Sequence, residues 1–233
     1  MALASWQSLL DEAYASLSEE YRTFLESSTE YFPTKENYLN AFKTLEKENV
    51  KYILFGQDPY PRVESAGGYA FIDMRVKTLF SSQGLSKEVN KATSLRNFIK
   101  MALLAKGDLD ADDTSQASIV KVDKSYIINS IDTLRENFEK NGVLLLNTAL
   151  IFTDKKASGK HIKAWRSFMQ TILKGLETKG IILILFGNHA KELKKHLALE
   201  KFESIELEHP YNQTFITNPK TLNLFRKMKL LEK

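Results

Sequence analysis

A carboxylate, an amide and an imidazole each follow a short apolar run in this chain. Tyr52-Ile-Leu-Phe55 leads into Gly56-Gln57-Asp58-Pro59-Tyr60, Val143-Leu-Leu-Leu146 into Asn147, and Ser204-Ile-Glu-Leu207 into Glu208-His209-Pro210. A fourth run, Ile181-Ile-Leu-Ile-Leu-Phe186, ends in Gly187-Asn188-His189. A carboxylate can hold positive charge or a water, an imidazole can exchange a proton near neutral pH, and an amide both donates and accepts. Each residue alone has a plainer reading. Asp58, beside a proline, can cap a turn; Asn147 can form one; His209 can be an ordinary surface histidine. Three such groups after three separate runs are harder to explain by turn chemistry.

The elements that must position them are legible as well. Runs 52–55, 143–146 and 181–186 are continuously apolar, as expected of strands covered on both faces; run 204–207 is weaker. Helical patterns separate them at Ser94 to Leu104, Ser125 to Glu139, Ala164 to Leu176 and His189 to Leu197. Upstream, Trp6, Leu9, Leu10, Ala13, Tyr14 and Leu17 recur at helical spacing, and a second helix is predicted over Lys35 to Lys47, capped near Thr34. Strand–helix alternation predicts an α/β fold: a central four-stranded parallel sheet flanked by helices on both faces. Ligands of such sheets bind outside the carboxyl ends of the strands, where these polar groups would gather. The acidic stretch Gly107 to Gln116 reads as an exposed loop. With no Pro/Gly/Ser-rich linker and no repeats, residues 1–233 are expected to form one domain.

Composition narrows the chemistry. The 233 residues are 43% hydrophobic and 27% charged, ordinary for a globular protein. The absence of cysteine excludes disulfides, thiolate metal sites and cysteine nucleophiles. Only 4 histidines, at 161, 189, 196 and 209, argue against a histidine-rich metal cage. The net charge of +4 suits a polyanionic partner. Lys155, Lys156, Lys160, Lys163 and Arg166 cluster with no acidic residue among them, and Lys220, Arg226, Lys227, Lys229 and Lys233 form a second cluster at the C-terminus. Met1-Ala-Leu-Ala-Ser-Trp6 lacks the pattern of a signal peptide, and no apolar run approaches the roughly 20 residues of a membrane helix. An intracellular, cytoplasmic protein without membrane contact is expected. Neither a glycine-rich dinucleotide fingerprint nor a phosphate loop is present.

Gly56-Gln-Asp-Pro-Tyr60 after an apolar strand resembles the first signature of the uracil-DNA glycosylases, closest to the family-1 enzymes. The resemblance continues in order through Phe71, Ser94-Leu-Arg-Asn97, Leu144-Leu-Leu-Asn147, Trp165, Leu185-Phe-Gly-Asn188 and His209-Pro210, covering roughly residues 50 to 230. It implies an enzyme that hydrolyses the N-glycosidic bond of uracil flipped out of DNA, needs no metal or cofactor and leaves an abasic site. By this resemblance Asp58 stabilises the cationic sugar and orients water, while His209 donates to uracil O2. Phe71 stacks on uracil, Asn147 reads its polar edge, Tyr60 fills the space of a thymine methyl, and Gln57 contributes a backbone N–H. Ser94, Asn188, His189, Gln213 and Thr214 are the implied DNA contacts. The implied partner is uracil-containing DNA, single- or double-stranded, bound by a monomer.

Two departures stand out. Pro61 replaces the usual histidine, and His209-Pro-Tyr-Asn-Gln-Thr214 replaces His-Pro-Ser-Pro-Leu-Ser, so that Gln213 stands where a leucine normally wedges into the stack. These changes, through the polar Gln213 in the wedge position, predict a larger preference for single-stranded substrate than in leucine-bearing relatives. They also leave open a shifted lesion range within the superfamily; a non-catalytic DNA-binding member is the other alternative.

Overall fold

The computed structural model describes residues 2–233, except the side chains of 189–191. In chain order the elements are α1 (Gln7–Ala15), α2 (Glu19–Ser27), β1 (Tyr52–Gly56), β2 (Phe80–Ser81), β3 (Gly84–Leu85), α3 (Lys87–Lys91), α4 (Thr93–Lys106), α5 (Gln116–Lys121) and α6 (Ile131–Lys140). Then follow β4 (Val143–Asn147), α7 (Ser158–Ala164), α8 (Arg166–Lys174), β5 (Ile182–Phe186), α9 (Gly187–His196), β6 (Glu203–Leu207) and α10 (Pro219–Met228). The chain divides into two compact units, Met1–Asp73 with Gly142–Glu206 and Met74–Asn141 with Leu207–Lys233.

The first unit is built on the four apolar runs, which form the expected four-stranded parallel sheet flanked by helices, in the order β4-β1-β5-β6. β1 pairs in parallel with β4 from Tyr52↔Val143 to Gly56↔Asn147, and with β5 from Tyr52↔Ile182 to Phe55↔Leu185. The two strands therefore end level, with Gly56 beside Asn147. Every residue of β4 is buried, whereas β6, the weaker run, buries only Leu207. Both are edge strands, so the difference follows from composition: β4 is apolar up to Asn147, as a strand covered on both faces must be, while β6 alternates Glu and Ser with Ile and Leu and leaves its polar positions in water. Trp6, Phe42, Phe55, Trp165 and Phe168 are fully buried in this core.

The second unit packs α4 against α10. Phe98 of α4 meets Phe138, Phe215 and Phe225 at ring-centroid distances of 5.6, 6.3 and 5.1 Å. β2 and β3 form a small antiparallel hairpin.

Three helix boundaries differ from expectation. No α-helix spans Lys35 to Lys47; the segment is a series of turns with the short 3-10 helix Asn40–Phe42, and another 3-10 helix, Lys47–Asn49, begins at its end. Thr34 does start it, its carbonyl accepting from Asn37 and Tyr38 N–H. The backbone bonds that follow are of the tighter three-residue kind, from Asn40, Phe42 and Lys43 N–H to the Asn37, Leu39 and Asn40 carbonyls, and the Asn40 amide binds the Gly67 carbonyl at 2.9 Å. The pattern at Ser125 to Glu139 becomes helical only at Ile131. Asn129 Oδ1 accepts from Leu79 and Phe80 N–H at 3.1 and 2.7 Å, and Ser130 caps the helix from outside. The Ala164 to Leu176 pattern begins earlier, as α7 and α8 joined at Trp165, and ends at Lys174. Ser94 to Leu104 and His189 to Leu197 match α4 and α9 within two residues. The acidic 107–116 stretch is a loop up to the start of α5.

Candidate functional site

In the first unit the strand ends lock together. Thr148 N–H and Oγ1 both donate to the Gly56 carbonyl at 3.0 Å, Thr148 Oγ1 also donates to the Gln57 carbonyl at 2.9 Å, and Ala149 N–H donates to the same Gln57 carbonyl at 3.0 Å. Across β4, Ala70 N–H donates to the Leu145 carbonyl. These bonds tie the turn after β1 and the segment before Phe71 to the end of β4. Asn147 is buried at 6% exposure, and the backbone of Gly56 passes so close that a Cβ there would stand 2.1 Å from Asn147 Oδ1. Glycine is thus required at 56 by the neighbouring amide.

Beyond Gly56, Gln57 is exposed and Asp58 half-buried. Asp58 Oδ2 accepts from the Ser158 hydroxyl at the start of α7, so the carboxylate is oriented rather than free. The Tyr60 hydroxyl donates to the Phe71 carbonyl at 3.4 Å, and burial together with the Asp73 charge pushes its phenol well above the ordinary value. That keeps Tyr60 neutral and makes it a shape-defining ring. Phe71 has φ +63, a backbone conformation costing of order 1–3 kcal/mol for a bulky residue. Its ring meets Phe186 edge-on at 5.1 Å. The strain and the edge contact together hold a half-buried aromatic face in one orientation. A cavity of about 270 Å³ adjoins Gln57 and Thr148 and is lined also by Lys163, Arg166, Glu192 and His196. It receives two members of the first basic cluster. Asn188 is exposed in the first turn of α9; the side chain of His189 lies outside the described residues.

In the second unit His209 is half-buried and follows β6 by two positions. Its Nδ1 accepts from Tyr211 N–H at 3.0 Å, so the neutral ring carries its proton on Nε2. Burial pushes its pKa below the ordinary histidine value, favouring that neutral form. The loop after it is held by Asn97 of α4, whose amide donates to the Pro210, Tyr211 and Asn212 carbonyls at 2.8, 3.3 and 3.5 Å. Ser94 is half-buried in the first turn of α4, while Gln213 and Thr214, at the start of a 3-10 turn, are exposed.

The structure therefore gathers Gln57, Asp58, Tyr60, Phe71 and Asn147 at the strand ends of one unit. In the other it holds His209, Gln213 and Thr214 on one loop tied to the helix of Ser94. Among the described residues no group of three or more His, Asp or Glu side chains is arranged to hold a metal ion. Sequence reasoning missed Ser158, Thr148 and Asn97. The last had a signal: an amide on the otherwise apolar face of a helix, which is buried only when something needs its hydrogen bonds.

Comparison with known proteins adds to this geometry. Residues 42–229 match the model of the uracil DNA glycosylase superfamily. A uracil-DNA glycosylase of Fusobacterium nucleatum subsp. nucleatum is 29% identical over 217 residues, covering 88% of this chain and 80% of the relative. One from Francisella tularensis subsp. tularensis is 30% identical over 181 residues, covering 77% of this chain and 69% of the relative. A crystal structure of the wild-type UNG of Nitratifractor salsuginis superposes with a TM-score of 0.97 at 52% identity, covering 100% of this chain and 93% of that one.

Proposed function

The chain belongs to the uracil-DNA glycosylase superfamily, and from that premise we propose that it excises uracil from DNA by hydrolysing the N-glycosidic bond, leaving an abasic site without cutting the strand. The observation that carries this reading is the interlock of Gly56-Gln57 with Asn147-Thr148, which ties an amide to the turn bearing a carboxylate. Residues 1–233 act as one functional domain and as a monomer.

A base inside a duplex is out of reach, so the enzyme extrudes it at a cost of a few kcal/mol. Phe71 stacks on the extruded ring. Asn147 donates to uracil O4 and accepts from N3–H, a pattern cytosine does not offer; a wrong base leaves buried polar groups unpaired. The neutral Tyr60 ring occupies the space of a thymine methyl. Bond cleavage builds positive charge on the sugar and negative charge on the departing base. Asp58, oriented by Ser158, stabilises the sugar and aligns the attacking water. His209, with its proton on Nε2, donates to uracil O2 alongside a backbone N–H near Gln57. Ser94, Asn188, His189, Gln213 and Thr214 contact the strand, and the Lys155–Arg166 cluster attracts it at longer range. With Gln213 lending little support to duplex opening, single-stranded uracil is the preferred substrate.

The test is release of uracil from single- and double-stranded oligonucleotides, followed by hot alkali, with thymine- and hypoxanthine-containing controls. Scission only at uracil is expected, faster on single strands, and Asp58→Asn should lower the rate about a hundredfold or more while sparing DNA binding. Full activity of that variant, or release of hypoxanthine in preference to uracil, would refute the reading.

A further inference from the structure

Among the exposed large apolar side chains of the described residues, Tyr211 is the most exposed, at 67%. Isolated surface hydrophobics need no explanation by themselves. Tyr126 of the same unit illustrates the ordinary case: its hydroxyl donates to Asp108 at 3.0 Å and the Lys106 ammonium lies 3.7 Å from its ring centroid. The Tyr211 ring has no such partner among the described residues, yet its backbone is fastened on both sides. Its N–H donates to His209 Nδ1 at 3.0 Å, and its carbonyl accepts from the Asn97 amide at 3.3 Å. Pro210 before it and Asn212 after it accept from that amide too, and Asn212 N–H donates to the His209 carbonyl at 2.9 Å. A rigid loop thus presents an aromatic face to solvent two residues from the imidazole.

We propose that Tyr211 is a base-stacking residue, its ring lying on a nucleobase next to the extruded uracil. The proposal rests on the reading above, in which His209 acts on that uracil. Extrusion leaves neighbouring bases without a stacking partner, and a flat ring can cover the exposed face. Every base has a π-face, so such a contact is tolerant of sequence, as a repair enzyme needs. A tyrosine has few rotors to immobilise, and its backbone is already ordered, so little entropy is lost on contact. The neighbouring Gln213 is polar and cannot supply this surface.

The experiment compares wild type, Tyr211→Ala and Tyr211→Phe in single-turnover uracil release from a duplex and from a short single strand. Loss of one base–aromatic stack predicts that Tyr211→Ala slows duplex turnover about tenfold or more. The single-strand rate should change much less, and Tyr211→Phe should match wild type on both. A thermal melt of each variant keeps folding separate from contact, since the ring is exposed. Duplex rates within twofold of wild type for Tyr211→Ala, or an equal loss in Tyr211→Phe, would overturn the stacking role. A wild-type protein that released uracil from neither substrate would instead sink the proposed function.

Discussion

At the scale of single residues, the site is built from constraints that neighbours impose on each other. Gly56 has no side chain because Asn147 needs the space, and Phe71 tolerates a positive φ while its carbonyl accepts from Tyr60. Asp58 is aimed by Ser158, and the proton of His209 is sent to Nε2 by a backbone N–H. Each constraint fixes an orientation, and at Phe71 the positive φ does so at a cost in stability. Gly56→Ala tests the tightest of them. The added methyl would stand 2.1 Å from Asn147 Oδ1 and 3.0 Å from Ala70 Cβ, so the amide must shift. A misplacement of about 1 Å costs roughly a hundredfold in rate. Uracil release by Gly56→Ala should fall by that order while the fold persists by circular dichroism; activity within threefold of wild type would show that the pocket is more pliant than the geometry implies.

At the scale of elements, polar side chains decide where the regular structure stops and which loops are rigid. The Asn129 carbonyl and side chain serve Leu79 and Phe80 N–H instead of the helix expected over Ser125 to Glu139, and the Asn40 amide binds the Gly67 carbonyl within the segment expected to be helical at Lys35 to Lys47. Periodicity registers only the apolar positions, so it could not foresee either contact. The strands were legible because continuous apolar runs have few other uses, and their carboxyl ends were legible with them. Asn97 is the clearest positioning residue. It is buried at 4% exposure, and its amide holds three successive carbonyls of the loop after His209. Asn97→Ala would leave those carbonyls without their donor, destabilising the protein by about 1–3 kcal/mol. The urea midpoint should drop accordingly, and uracil release should fall further than Ser94→Ala lowers it. Equal stability of Asn97→Ala and wild type would mean that water replaces the amide.

At the scale of the whole molecule, the apolar runs announced the sheet and the resemblance named the candidate residues, because both depend on local sequence order. What neither could announce is the electrostatic state of the buried His161, which depends on a partner distant in the chain. His161 is 4% exposed, between the Tyr21 hydroxyl at 2.7 Å from Nδ1 and the Thr153 hydroxyl at 3.0 Å from Nε2. Burial, followed by the charge of Lys160, pushes its pKa below the ordinary value, and burial does the same to His209. A histidine with a depressed folded pKa binds protons less readily in the native state than in the unfolded chain. Stability is therefore complete above about pH 6.5, the ordinary value, and declines as pH falls toward the lowered one. The slope is at most about 1.4 kcal/mol per pH unit for each such histidine. Urea unfolding from pH 8 to pH 5 should show a flat region followed by a decline starting near pH 6.5. His161→Gln keeps a group able to hydrogen-bond both hydroxyls but removes the titration. It should begin from a lower plateau and decline less steeply than wild type, with the remaining slope reduced again by adding His209→Gln. A slope in His161→Gln equal to that of wild type would show that His161 takes up its proton in the folded chain as easily as in the unfolded one, contrary to its buried, doubly bonded setting.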